Sequence, residues 1–233
     1  MTEKMYTTGE YLEKNPTWHV EDSPWKAKQI LKIIEKNKLQ PRSICEVGCG
    51  AGEILNQLYL QMPNDVSFVG YEISPQAFEL CQQRKKDRLQ FHSKNLFQDD
   101  KVFFDIVLAI DVIEHVEDCF GFLRSLHEKG QYKIFHIPLD ISVLTVLRPS
   151  PILRTRQSVG HIHYFTKETA LAILADTGYE ILDYFYTSSG SIDLPAKSFK
   201  LLLLRLLRKI LYKLNKDMAV RILGGYSLMV LTK

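Results

Sequence analysis

The sequence predicts an α/β protein, a doubly wound and mostly parallel sheet covered by helices, on three observations. Short apolar runs alternate with segments of helical periodicity from residue 43 to about 178, the pattern of parallel strands joined by right-handed crossovers. The stretch Ile44-Cys45-Glu46-Val47-Gly48-Cys49-Gly50-Ala51-Gly52-Glu53 places three glycines between an apolar run and a helical spacing that begins at Ile54, Leu55 and Leu58. A chain of 233 residues that is 45% hydrophobic can bury the core of one such domain.

The elements follow in order. Residues 1–40 read as an N-terminal arm and helix. The arm, 1–22, is polar and carries Trp18, His19 and several tyrosines; it predicts either a cover over the mouth of the cleft or a loosely ordered tail. Ser23-Pro24-Trp25 has a helix cap followed by proline at the first helical position, and Ile30, Leu31, Ile33 and Ile34 then recur on one face of a covering helix that ends before Pro41. The core, 41–186, has a strand at 43–47, a helix from 53 to about 60, a strand ending at Glu72 and a helix opened by Ser74-Pro75. A weak strand at 89–93 and a clear one at 105–110 come next, with Asp111, Glu114 and His115 following the latter into the cleft. A helix at 120–127 and a strand at 132–138 precede residues 139–160, which contain Pro149, Pro151, Arg148, Arg154 and Arg156 and read as a mobile loop across the substrate side. Thr166 caps a helix that ends near Gly178, a strand covers 179–186, residues 187–225 form a basic helical insertion, and 226–233 is the final strand.

Composition excludes several classes. Cys45, Cys49, Cys81 and Cys119 form no CxxC pair, so neither a zinc site nor a disulfide framework is indicated, and reduced cytosolic thiols are expected. The N-terminus has no apolar core of a cleaved signal, and no unbroken apolar stretch spans a bilayer. A net charge of +3 is too small to imply a nucleic-acid partner.

The glycine turn carries the chemistry. Gly48, Gly50 and Gly52 let a nucleotide-like ligand lie against main-chain N–H groups at a helix start. Dinucleotide sites use G-x-G-x-x-G, whereas this chain has G-x-G-x-G. Glu46 stands two residues before the first glycine, where a carboxylate attracts an ammonium group and is poorly placed beside a pyrophosphate. Glu72 ends the next strand, at the distance from which a carboxylate takes both ribose hydroxyls. An adenosine that also carries an amino acid satisfies both acids.

With Glu46-x-Gly48-x-Gly50-x-Gly52, Glu72 and the segment from Phe104 to Asp118 (FDIVLAIDVIEHVED), the chain resembles the class I S-adenosylmethionine-dependent methyltransferases, in particular the small-molecule group that includes the ubiquinone-type O-methyltransferases. The resemblance spans roughly 41–178 and more loosely the final strand. It implies a Rossmann-like sheet whose last two strands pair as a hairpin with the last one antiparallel, and S-adenosyl-L-methionine as cofactor. It places that cofactor on Glu46, Gly48, Cys49, Gly50, Gly52, Glu72, Ile73, Asn95, Leu96 and Asp111. Asn95 departs from the acid usual at the adenine amino group, and an amide oxygen can accept the same bond.

Methyl transfer from a sulfonium is a direct displacement in which the enzyme mainly aligns the nucleophile, and it needs no metal. A hydroxyl acceptor gains from a base, for which His115 is the first candidate, then His161 and His163; each has the alternative role of bonding a backbone carbonyl in its loop. The Asn/Asp-Pro-Pro-aromatic tetrad of enzymes that methylate amide or adenine nitrogens is replaced by Ala109-Ile110-Asp111-Val112, which disfavours a base-flipping enzyme. The expected acceptor is an oxygen, less readily a nitrogen or carbon, of a small-molecule, saccharide or lipid-like compound; a non-catalytic cofactor-binding module is the competing reading. Residues 197–216 hold seven cations and no acid, and subtracting seven from +3 leaves −4 elsewhere. Phe199, Leu202, Leu203, Leu206, Ile210 and Leu214 fall on one side of this helix, with Lys200, Arg205, Lys209, Lys213 and Lys216 on the other. That pattern fits peripheral contact with the inner face of a membrane by a cytoplasmic protein, and equally a cap that buries its leucines against the sheet or in a dimer.

Overall fold

Seven strands form one sheet in the order β3-β2-β1-β4-β5-β7-β6 in the computed structural model, which describes residues 5–6, 8–148, 150–188 and 199–233. They are β1 (Ser43–Val47), β2 (Ser67–Tyr71), β3 (Leu89–His92), β4 (Phe104–Ile110), β5 (Gly130–Pro138), β6 (Ile181–Ser188) and β7 (Tyr226–Thr232). The first five are parallel, and β7 runs antiparallel to both β5 and β6, as the resemblance implied. Central strands read as continuous apolar runs because helices cover both faces of the sheet. On one face Ile30 and Ile33 of the Ser23–Lys36 helix pack with Leu55, Phe68 and Ile106; on the other Leu123, Leu174 and Val220 pack with Val107 and Phe135.

The carboxyl ends of β1 to β4 all open at one edge. Since β1 turns outward to β2 and β3 while β4 lies on its other side, the chain reverses its winding between β1 and β4, where such sheets leave a crevice. Parallel register sets Glu46 beside Gly70 on β2 and Leu108 on β4, and so deep in the sheet.

Three expectations are corrected. The covering helix takes Asp22 as its N-cap, without a side-chain bond, and Ser23 is its first residue. Residues 139–160 are not a loop: they hold helices at Val143–Val146 and Ser150–Val159. Ser142 and Thr145 cap the first reciprocally, and Pro151 sits in the first turn of the second, where a missing N–H costs nothing. The insertion is two helices, Phe199–Leu214 and Lys216–Leu223, separated by Asn215, whose side chain accepts from the Met218 N–H. Lys197 and Ser198 lie outside the described residues. The leucines expected to be buried in the cap reading are the exposed ones: Leu202, Leu203, Leu206, Ile210 and Leu214 are 47–78% accessible, while Arg205 and Arg208 turn toward the protein.

Candidate functional site

A cavity of about 1090 Å³ occupies the crevice, lined by the glycine turn, Glu46, Glu72, Ile73, Asn95, Leu96, Asp111, His115 and His161, and closed by Tyr6, Tyr11 and Trp18 of the arm. For the described residues of 1–22, the first of the two expectations is the one observed.

The turn is shaped by glycine geometry. Gly48 and Gly52 have φ of 66° and 76°, and a Cβ on Gly52 would lie 2.6 Å from the Phe91 ring. Glu72 braces the turn, since its Oε2 accepts from the Gly50 N–H at 2.8 Å and its Oε1 from the Ser74 N–H at 2.7 Å. Burial raises its pKa against the pull of those N–H donors. Glu46 is 1% exposed, and its Oε2 has no hydrogen-bond partner among the described residues. Burial lifts its pKa well above the usual carboxylate range, Glu72 and Asp111 lift it further, and only Lys26 pulls it down. A buried carboxylate oxygen lacking a donor beside a backbone cradle is the arrangement that a ligand ammonium completes. Asn95 caps the short turn after β3 by accepting from the Phe97 N–H at 3.0 Å, and Leu96 is fully buried beside it. These residues fit an adenosine bearing an amino acid.

At the next strand, Asp111 adopts φ 54°, a left-handed conformation that costs energy outside glycine and is least costly for Asp and Asn. Its neighbours hold it there. Lys26 Nζ lies 2.8 Å from Oδ2, and His136 Nδ1 lies 2.6 Å from Oδ1; His136 Nε2 meets Thr187 Oγ1 at 2.8 Å. Burial works against the Asp111 charge, but His136 and Lys26 outweigh it and hold the carboxyl far below its ordinary range. Asp111 reaches the cavity as expected, with both oxygens already engaged inside the protein.

The histidines divide. His115 Nδ1 is 3.0 Å from the Tyr6 hydroxyl, and that hydroxyl is 2.9 Å from the Val159 carbonyl. Tyr6 has one proton, which goes to the carbonyl, so it accepts from His115 Nδ1–H and leaves Nε2 with its lone pair. Burial, with His161 adding to it, lowers the His115 pKa to about 4. His161 Nδ1 bonds Asp140 Oδ2 at 2.7 Å. His163 does not line the cavity; its Nε2 bonds the Val116 carbonyl at 2.8 Å, the alternative weighed for it.

Between His115 and His161 lies Glu114, fully buried and with neither carboxylate oxygen bonded among the described residues. Its Oε1 is 3.7 Å from His115 Nε2 and 3.9 Å from His161 Nε2. Burial first, then Asp111 and Asp140, raise its pKa well above the ordinary value. A charge on Glu114 and a charge on the His115 imidazole favour each other across that distance. The ligand atoms of Glu114, His115 and His161 lie within 4.8 Å of one another, a donor set that can also hold a metal ion.

Sequence reasoning missed Lys26, Tyr6, Tyr11, His136 and Thr187. For Lys26 a signal existed: it stands four and seven residues before Ile30 and Ile33, on the face that packs inward, so its charge required a buried partner. Tyr6 and His136 had none, because their partners lie 109 and 25 residues away.

Known proteins share this fold. A family model described as a methyltransferase domain matches residues 21–184, more than half of the chain. The solved structure of magnesium protoporphyrin IX methyltransferase from Synechocystis PCC 6803 with bound SAH has a TM-score of 0.64 at 15% identity, covering 99% of this chain and 96% of that one. The N-methyltransferase NodS from Bradyrhizobium japonicum, in complex with S-adenosyl-L-homocysteine, scores 0.56 at 14% identity over 89% and 84% of the two chains. An O-methyltransferase family protein from Burkholderia thailandensis scores 0.60 at 11% identity over 92% of this chain and 58% of that one. At such identities the likeness is one of fold.

Proposed function

Because the chain belongs to the methyltransferase-domain family and is an S-adenosylmethionine-dependent enzyme, we propose that it methylates a hydroxyl oxygen of a small-molecule or lipid-like acceptor, with His115 as the base. The observation that carries this reading is a neutral imidazole on the wall of the cavity whose Nε2, 3.7 Å from the Glu114 carboxyl, keeps its lone pair.

S-adenosylmethionine, when bound, supplies a methyl group on a sulfonium that is already activated for displacement. The chain's own residues do the rest. Glu46 gives the ammonium end a carboxylate, the glycine turn, lacking side chains, lets the cofactor approach the backbone closely, and Glu72 stands ready for the ribose hydroxyls with Asn95 and Leu96 beside the adenine. His115 Nε2 accepts the hydroxyl proton, and the imidazolium so formed lies 3.7 Å from the Glu114 carboxyl. Tyr6 fixes the tautomer through Nδ1. Closure of the arm over the cavity excludes water from that transfer.

The test is incubation with methyl-labelled cofactor and pools of phenols, saccharides and lipid extracts. The expected product is a methyl ether, lost in His115→Ala while S-adenosylhomocysteine binding persists. Methylated amines or carbon-methylated products in place of ethers would overturn the oxygen assignment.

A further inference from the structure

A strongly apolar and basic surface borders the cavity. The Phe199–Leu214 helix packs inward through Leu211 and Tyr212, and it turns Leu202, Leu203, Leu206, Leu207, Ile210 and Leu214 to the outside, 46–78% accessible. Lys209 and Lys213 are exposed along one flank of that apolar arc. The following helix, Lys216–Leu223, packs on Val143–Val146, which adds Val146 and Leu147 at 63% and 73% accessible. Ser150–Val159 continues the surface with Leu153, Arg154 and Arg156. Arg208 and Arg148 come close enough for their charges to interact where the segments meet. Residues 141–166 and 199–216 contain no Asp or Glu.

Isolated exposed leucines need no explanation, but a continuous apolar face ringed by one sign of charge does. A second copy of this chain would bring the same cations face to face. An anionic lipid surface meets both features, taking the leucines into the headgroup boundary and the cations at the phosphates. The Ser150–Val159 helix also contributes Thr155, Ser158 and Val159 to the cavity lining, so the apolar face and the site share a wall.

We propose that the face formed by 143–159 and 199–214 docks the enzyme on an anionic bilayer, with the cavity opening beside the lipid so that the acceptor is membrane-borne. The docking stands on the surface alone; the membrane-borne acceptor rests on the function proposed above.

The full chain is floated with phosphatidylcholine vesicles, with and without phosphatidylglycerol, in the absence of cofactor. Binding is expected only with phosphatidylglycerol and is lost near 1 M salt, where the screening length falls to about 3 Å. Lys209→Glu with Lys213→Glu lowers partitioning about 25-fold or more, at about fivefold per cation near the surface. Leu203→Glu with Leu206→Glu removes binding while thermal midpoint and S-adenosylhomocysteine affinity stay at wild-type values, which separates loss of docking from loss of fold. No binding to either vesicle overturns the proposal, as does binding that ignores lipid charge and both variants. So does a dimer, seen by sedimentation, that the leucine variant dissolves. Because flotation needs neither cofactor nor turnover, failure of the catalytic reading leaves its outcome untouched.

Discussion

Replacing Glu46 by Gln exchanges a carboxylate for an amide of nearly equal volume at a position 1% exposed, and it is expected to raise stability while weakening the cofactor. An unsatisfied buried polar group costs roughly 1–3 kcal/mol, and Oε2 is such a group. The sign follows from the raised pKa: folding takes up a proton at Glu46, so its contribution is full below the ordinary 4.5 and is lost as pH rises through the elevated value. At neutral pH the wild type carries the cost of burying an ionisable group, which the amide lacks, whereas the unpaired polar atom is common to both. The thermal midpoint of Glu46→Gln is therefore higher by about 2–4 °C for each kcal/mol relieved in a chain of this size. Cofactor affinity moves the other way. Loss of a charge-assisted hydrogen bond to the ammonium costs roughly 1.5–3 kcal/mol, about 10- to 150-fold in the dissociation constant of S-adenosylhomocysteine. Trp18 and Trp25 both line the cavity, so their emission reports binding beside calorimetry. Binding should also release a proton in the wild type, making its affinity rise with pH, and should release none in the variant. Equal affinity of the two proteins, or a lower midpoint for the variant, would remove Glu46 as the ammonium partner.

Two further outcomes follow. With the His115 pKa lowered to about 4, the imidazole is neutral across the physiological range, so the acidic limb of kcat/KM falls near pH 4–5 rather than near 6.5. Tyr6→Phe, which frees Nδ1, moves that limb and lowers kcat with little change in cofactor affinity; a limb at pH 6–7 in the wild type would refute the assignment. Lys26→Met leaves the half-buried Asp111 carboxylate with His136 as its remaining charged partner and costs roughly 1–3 kcal/mol in denaturant unfolding, whereas pairing it with Asp111→Asn recovers part of that loss. A single variant as stable as the double would show that the ion pair is not what holds the φ 54° turn.

Much of the fold is legible in the sequence, because glycine spacing and strand periodicity are local. The glycine turn, Glu46, Glu72 and Asp111 meet at one cavity because they end successive parallel strands, and that placement is a consequence of topology. What the sequence hides are pairings made across it. Tyr6 on His115 and Thr187 on His136 join segments 109 and 51 residues apart, and no spacing rule links them. Pro151 misled for a simpler reason, since a proline inside a first turn and one that breaks a helix look alike until the helix start is known. For the 199–214 helix the periodicity was visible, but the exposed face is a matter of what it packs against. Half-buried Arg208 gives its guanidinium to the Leu223 carbonyl, which rotates the leucines outward.

The position of β7 sets the order in which the sheet can be completed. It is the last strand in sequence yet lies inside the sheet, between β5 and β6, and among the described residues β6 has no other neighbour. Thr232 meets Lys133 across 99 residues, so β5 leaves the ribosome long before the strand that covers its edge. Until β7 arrives, an apolar strand edge is open to pairing with other chains, and closing it demands one of the longest loops in the molecule. Assembly of this sheet is consequently a late event, and the nascent chain carries the open edge of β5 until β7 has been made.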